Sequence, residues 1–173
     1  MPDSKRFPIE AFTDVLAAND EYAASYRGSD LTGRAAQGLA IVTCMDSRID
    51  PLRAVGMKPG DAKILRNAGA RVTDDVHRTL ILAVYLLGVT RILIMPHTEC
   101  RMVGSTEGQI HASIRAEYGV DTRSVEFRTT ADVDEGLAQD VVRLRASPLL
   151  PSAVSVGGAV YDVKSGRLRP LEV

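Results

Sequence analysis

Two short stretches of the sequence decide the fold: LAIVTCMDSR at residues 39–48 and RILIMPHTEC at residues 91–100. In each stretch, a run of apolar and β-branched residues is followed directly by polar side chains. Such runs predict buried strands. In parallel sheets, ligands bind beyond the carboxyl ends of the strands, at the point where the strand order reverses. We therefore expect the polar residues that follow these two strands to lie together.

The rest of the chain alternates helical and extended patterns. This alternation predicts an α/β fold with a mainly parallel central β-sheet flanked by helices and an antiparallel edge strand near the C-terminus. Ile110 and Ile114 are expected to be buried, and Gly157-Gly158 is a candidate β-bulge. The predicted helices are 8–27, a short one from Pro51, 73–87, 106–118 and 132–146; further strands are predicted at 62–65, 153–156, 159–163 and 168–173.

Composition excludes several classes of protein. The 173 residues suit one domain, 1–173, in which residues 1–38 form an N-terminal helical arm. A net charge of −1 leaves no basic footprint for nucleic acid. No apolar run approaches the ~20 residues of a membrane span, and the N-terminus lacks the apolar core of a signal peptide. We expect a cytoplasmic protein with reduced thiols.

The cysteine positions indicate a metal site. The chain has two cysteines, Cys44 and Cys100, and both lie in the two decisive stretches with His97. Two thiolates and an imidazole suit zinc better than magnesium or calcium, and three protein ligands leave a tetrahedral position open for chemistry. Asp46 and Arg48 place a carboxylate and a cation beside that position. Two inert buried thiols are the simpler alternative. A thiol redox protein is disfavoured because the chain has no Cys-x-x-Cys.

These residues resemble the β-class carbonic anhydrases, most of all the short actinobacterial-type branch. The family motifs Cys-x-Asp-x-Arg, Arg-Asn-Ala-Gly and His-x-x-Cys stand here at residues 44–48, 66–69 and 97–100. The resemblance implies that Cys44, His97 and Cys100 bind one zinc ion per chain and that Asp46 and Arg48 form the catalytic dyad. It also implies a homodimer or a dimer of dimers, with the N-terminal arm packing on a partner subunit.

The implied reaction is the reversible hydration of carbon dioxide to bicarbonate by a zinc-bound hydroxide, without an organic cofactor. In a second, closed state known among relatives, Asp46 becomes the fourth zinc ligand. Hydrolysis of a related molecule such as carbon disulfide is an alternative, as is a catalytically silent zinc-binding relative. Arg101 departs from the family, which usually has glycine there. Our interpretation assigns no role to His77 and His111, and gives little weight to the remaining polar neighbours of the motifs, Arg66, Asn67 and Glu99.

Overall fold

The structure, a computed structural model, describes residues 7–173. The chain divides into two compact units, one ending at Thr32 and the other covering Gly33–Val173. The N-terminal unit contains a 3-10 turn at Ile9–Phe12 and helix α1 at Thr13–Ser25. The single helix predicted over 8–27 therefore begins as a tighter turn. No residue of α1 is buried, and apolar residues along it are exposed.

A five-stranded sheet organises the second unit. Its strands, in chain order, are β1 Leu39–Cys44, β2 Ala62–Asn67, β3 Arg91–Met95, β4 Ser155–Tyr161 and β5 Leu168–Leu171. Their order across the sheet is β2-β1-β3-β4-β5. Neighbouring strands are parallel except at the edge, where β5 runs antiparallel to β4. The predicted fold class is confirmed.

Four helices accompany the sheet, and each begins at a polar residue that caps it. They are α2 Pro51–Ala54, α3 Asp74–Leu86, α4 Glu107–Tyr118 and α5 Val133–Arg145. Each N-cap side chain accepts a backbone N–H that the first helical turn leaves unpaired. The caps are Asp50, Thr73, Thr106 and Asp132. Among the described residues, no helix combines the length and the apolar character needed to cross a membrane.

The core lies on both faces of the sheet because side chains alternate along each strand. On one face, Ala40 and Val42 of β1 pack in a cluster with buried residues of α3 and α5, including Leu80 and Val141. The opposite face belongs to a second cluster that includes Ile41, Met95 and Met102. Every residue of β1 is buried, as expected for a central parallel strand.

Helix α4 differs from the expectation for its apolar residues. It contains no buried residue, and Ile110 and Ile114 are only half-buried. Both side chains line a cavity of about 700 Å³. Their helical spacing was visible in the sequence, but periodicity does not reveal that the surface they face is open.

The bulge predicted at Gly157-Gly158 does not form. Strand β4 runs through both glycines, and Gly157 and Gly158 pair in register with Leu93 and Ile94 of β3. A Cβ atom on Gly158 would lie 2.7 Å from Leu137 Cδ1. The glycine therefore serves the close approach of α5 to the sheet.

The N-terminal arm exposes an apolar stripe that consists of Ile9, Phe12, Val15, Leu16 and Tyr26. This stripe predicts that the arm contacts a second copy of the chain. We expect Leu16→Asp to convert a dimer into monomers or aggregates, because a carboxylate cannot be buried there without a partner. Light scattering after size-exclusion chromatography measures the change. Leu16 is already exposed in the chain, so the substitution should leave the folded unit intact.

The matched control is Ala17→Asp on the same helix, because its neighbours at helical spacing, Thr13 and Glu21, are polar. This control should remain a dimer. If Leu16→Asp is also a well-behaved dimer, the predicted packing of the arm is wrong.

Candidate metal centre

The candidate site lies where the strand order reverses. From β1 the chain forms β2 on one side, and then crosses back to form β3 on the other side of β1. Thr43 Oγ1 donates a hydrogen bond of 2.8 Å to the carbonyl oxygen of Met95, which ties the ends of β1 and β3 together. Cys44 is the last residue of β1, and His97 follows shortly after β3. This is where doubly wound sheets bind ligands.

The three predicted metal ligands are close together. The ligand atoms of Cys44, His97 and Cys100 all lie within 4.8 Å of one another. All three residues are buried. Three soft donors at this separation match the ligand set of a zinc site that keeps one position open.

The imidazole of His97 is oriented to bind a metal ion. Its Nδ1 lies 2.8 Å from the carbonyl oxygen of Thr98. Because a carbonyl can only accept, Nδ1 carries the hydrogen and Nε2 presents its lone pair. In the described part of the chain, Nε2 is the buried side-chain nitrogen or oxygen that has no hydrogen-bond partner. A buried, unpaired nitrogen is costly unless a ligand binds it, so the residues present fit a metal ion.

The pKa values of the two neighbouring thiols are shifted in opposite directions. The hydrogen bond from Cys100, followed by the proximity of His97 and the N–H of Gly69, lowers the pKa of Cys44 despite its burial. The pKa of Cys100 is raised well above its usual range, first by its hydrogen bond to Cys44 and then by burial. Metal ligands must be deprotonated, and a divalent cation between the sulfurs stabilises both thiolates.

Asp46 and Arg48 form a bidentate pair at the edge of the cluster. Arg48 Nε and Nη2 donate to Asp46 Oδ1 and Oδ2 at 2.9 and 2.8 Å, and the Arg48 backbone N–H donates to Oδ1 at 2.9 Å. This pairing holds the pKa of Asp46 well below its usual range. Asp46 Oδ2 also lies 3.8 Å from His97 Nε2. The carboxylate therefore borders the position where a metal ion would bind.

Glu99 extends this pair into a network. Its carboxylate lies 3.3 Å from Arg48 Nη1 and 2.5 Å from Lys164 Nζ. Lys164, and to a lesser extent Arg48, lower the pKa of Glu99. Glu99 has a left-handed backbone with φ 57° although it is not glycine. The sequence interpretation gave it little weight, and its position inside His-x-x-Cys was the available signal.

Arg66 supports the segment that carries Cys44 and Asp46. Its Nε donates to the carbonyl oxygen of Cys44 at 2.8 Å, and its Nη2 donates to that of Asp46 at 2.6 Å. Sequence reasoning missed this contact, because it joins strand β2 to the end of strand β1. The only signal was the Arg-Asn-Ala-Gly segment, which places this arginine at the carboxyl end of β2.

The Arg-Asn-Ala-Gly segment continues into a tight turn, between Asn67 and Arg71, that lies against Cys44. The Asn67 side chain accepts from the N–H of Arg71 at 2.9 Å and donates to its carbonyl at 2.7 Å. Between them, Gly69 and Ala70 are left-handed, with φ 77° and 59°. This geometry lets the Gly69 N–H donate to Cys44 Sγ at 3.4 Å.

The cavity of about 700 Å³ lies beside the cluster. Met45, Ala68 and Met102 line it on the side of the sequence motifs, and residues of α4 line it elsewhere. Arg101 also lines this cavity and is exposed. The residues without an assigned role lie elsewhere: His77 contacts Ser147 Oγ at 2.8 Å, and His111 contacts Thr122 Oγ1 at 2.9 Å.

Fold and site together define a doubly wound α/β protein with a cysteine–histidine metal site at its switch point. The chain belongs to the carbonic anhydrase family of enzymes, whose sequence model matches residues 39–168. It is 38% identical to β-carbonic anhydrase 1 of Mycobacterium tuberculosis over 156 residues, which cover 90% of this chain and 94% of that protein.

Two further relatives differ in the substrate that their names state. The crystal structure of a carbonic anhydrase from Streptococcus mutans has a TM-score of 0.87 and 37% identity, covering 93% of this chain and 97% of that one. A carbon disulfide hydrolase of Acidithiobacillus thiooxidans is 31% identical over 152 residues, which cover 76% of each chain. Family membership alone therefore leaves the substrate open.

Gly69 is predicted to be intolerant of a side chain. We expect Gly69→Ala to lower the free energy of unfolding by about 1–3 kcal/mol, because alanine is strained at positive φ. The added Cβ would also lie 3.0 Å from Met102 Cβ. Urea unfolding followed by circular dichroism measures the change.

Gly108→Ala is the matched control, because this helical glycine has only Thr106 Oγ1 near its missing Cβ, at 3.9 Å. It should be neutral or slightly stabilising. Equal stability of Gly69→Ala and the native chain would contradict the geometry of the turn.

Proposed function

We propose that this protein is a zinc-dependent carbonic anhydrase that catalyses the reversible hydration of carbon dioxide to bicarbonate. One observation carries the proposal: the convergence of Cys44, His97 and Cys100 within 4.8 Å, with the Asp46 carboxylate 3.8 Å from His97 Nε2. Metal ligands and a charged pair thus meet at one point. Neither feature alone defines an enzyme.

The three ligands would hold zinc and leave its fourth position beside Asp46. When bound, zinc supplies a Lewis acid that brings the pKa of a coordinated water toward neutrality. The Thr98 carbonyl holds the His97 ring in the tautomer that presents Nε2. Such partners of a ligand fix its orientation and its basicity.

Asp46 orients the attacking oxygen. Because Arg48 keeps the pKa of Asp46 well below its usual range, this carboxylate stays ionised and accepts a hydrogen bond without retaining the proton. It directs the lone pair of the attacking oxygen toward the carbon of carbon dioxide. Arg48 holds both carboxylate oxygens, a geometry that lysine cannot reproduce. The closed state, in which Asp46 leaves Arg48 to become the fourth ligand, stays a prediction.

The position of the pair matters more than its existence. Asp121 and Arg123 repeat the same Asp-x-Arg arrangement, with Arg123 Nε and Nη2 donating to the carboxylate at 2.9 and 2.6 Å. That second pair is exposed and lies outside the described ligand cluster. It therefore provides a matched control for the first pair.

Carbon disulfide hydrolysis is the second candidate. The relative from Acidithiobacillus thiooxidans favours it. The apolar side chains of Met45, Ala68 and Met102 line a cavity next to the motif segments, and such a lining suits carbon dioxide and carbon disulfide, which are both apolar. Arg101 adds a cation to this lining.

We further propose a homodimer, or a dimer of dimers, that works in the cytoplasm. The exposed apolar residues of α1 support the assembly. The reduced state required of Cys44 and Cys100 as metal ligands supports a reducing compartment.

The ligand assignment predicts one zinc ion per chain. Cys100→Ser should sharply reduce bound zinc, because a hydroxyl is a much poorer zinc ligand than a thiolate. Elemental analysis of dialysed protein measures the content. His111→Gln, a control at a histidine outside the cluster, should retain full occupancy. Full occupancy in Cys100→Ser would refute the ligand set.

The dyad predicts a loss of activity without a loss of metal. Arg48→Lys should keep zinc and slow carbon dioxide hydration by about 10–100-fold, because Asp46 loses its bidentate partner. Stopped-flow assays measure the rate, with carbon disulfide hydrolysis followed in parallel.

The matched control is Arg123→Lys, which makes the same change in the exposed copy of the motif and should leave the rate unchanged. A fully active Arg48→Lys variant would show that the first pair is only structural. A zinc-loaded native protein that hydrates no carbon dioxide would favour carbon disulfide hydrolysis if it turns over that substrate, and a silent relative if it does not.

A further inference from the structure

Asp140 is a buried charge that neither the motifs nor the proposed mechanism uses. The buried polar or charged residues of the described chain are Thr43, His97 and Asp140. Thr43 precedes a candidate ligand, and His97 is one itself. Asp140 lies far away in sequence, on the face of α5 that carries the buried Leu137 and Leu144. A carboxylate on such a face needs partners, because a buried and unpaired charge is costly.

Its partners are all in the segment that follows the turn against Cys44. Asp140 Oδ2 accepts from Arg71 Nε at 2.7 Å and from the backbone N–H of Val72 at 3.2 Å. Asp140 Oδ1 lies 3.4 Å from Arg71 Nη2. The Arg71 side chain is 13% exposed and that of Asp140 is 5% exposed. Removing either partner would therefore leave a buried charge that water cannot solvate, at a high cost in free energy.

The turn itself requires support at both ends. Ala70 adopts a left-handed backbone that non-glycine residues avoid, so the surrounding contacts must impose it. The Asn67 side chain holds one end of the turn through hydrogen bonds to the backbone N–H and carbonyl of Arg71. Asp140 holds Arg71 from α5.

We propose that Asp140 is a positioning residue of the metal centre: through Arg71 and Val72 it holds the 68–70 turn so that the Gly69 N–H stays hydrogen-bonded to Cys44 Sγ. An N–H that points at a metal-bound thiolate withdraws electron density from the sulfur and fixes its direction. Asp140 therefore acts on a metal ligand across two intervening contacts. The inference rests on the proposed metal centre, and it adds a residue that none of the motifs contains.

If the pair of Arg71 and Asp140 has only a structural role, a different result is expected. Loss of such a pair would lower stability and leave the electronic environment of the Cys44 sulfur unchanged. A positioning role requires that the sulfur itself report the substitution. The thiolate-to-metal charge-transfer band of the cobalt(II)-substituted protein measures this change, because the energy of the band depends on how strongly the sulfur donates electron density to the metal.

The test compares two aspartates of the same helix. Asp140→Asn weakens the hold on Arg71 at nearly constant size. Asp134→Asn makes the same change at a surface pair, where Arg169 Nη2 lies 2.6 Å from Asp134 Oδ1. Asp140→Asn should move the charge-transfer band to longer wavelength and weaken zinc binding about 10–100-fold in competition with a chromogenic chelator. Asp134→Asn should show no shift and a change in affinity below about twofold.

Arg71→Lys keeps the charge but loses the two-point contact, and it provides the measurement if Asp140→Asn does not fold. It should shift the band in the same direction. A folded variant of either kind whose band and zinc affinity match the native chain overturns the inference, even if its stability has fallen. A native protein that binds neither cobalt nor zinc overturns the proposed metal centre itself, so the two failures are distinguishable.

Discussion

The parallel pairing of β1 with β3 is the constraint on which the site depends. The ligands come from two segments that are distant in sequence, and only the register of these neighbouring strands brings their carboxyl ends together. The hydrogen bond from Thr43 to the Met95 carbonyl adds a fixed contact at that end of the pair. Because the strand order reverses at this point, the strands leave a crevice there that no crossover connection fills. The cluster of Cys44, His97 and Cys100 occupies it.

Around that cluster, ordinary polar contacts acquire a function from their position. The bidentate pair of Asp46 and Arg48 has an almost identical counterpart at Asp121 and Arg123. The first pair lies against a buried imidazole nitrogen that has no other partner in the described chain, whereas the second lies on the surface. Surface pairs of this type contribute little to stability. What distinguishes the first pair is its position, 3.8 Å from that nitrogen and beside the three candidate ligands.

The three candidate ligands and the Asp46–Arg48 pair do not by themselves select a substrate. The family relatives include a β-carbonic anhydrase at 38% identity and a carbon disulfide hydrolase at 31% identity. Attack on the carbon of either molecule needs the same oriented oxygen and an apolar route to the site. The cavity that Met45, Ala68 and Arg101 line lies next to the motif segments, so its lining is the place to test for discrimination between the two substrates. Arg101 and Glu117 are the charged residues of that lining.

The sequence by itself determined the features that depend on neighbouring residues. Apolar runs located β1 and β3, helical spacing of apolar residues located the longer helices, and the spacing of Cys44, Asp46 and Arg48 indicated the chemistry. Tertiary structure alone decided the contacts between distant segments: the hold of Arg66 on the Cys44 segment, the buried carboxylate of Asp140, and the close approach that Gly158 permits. A charged residue on the buried face of α5 was the one visible sign of Asp140. Its partner could not be read from the sequence, because a hydrogen bond between distant segments depends on how helices pack on the sheet, and local periodicity carries no information about that packing.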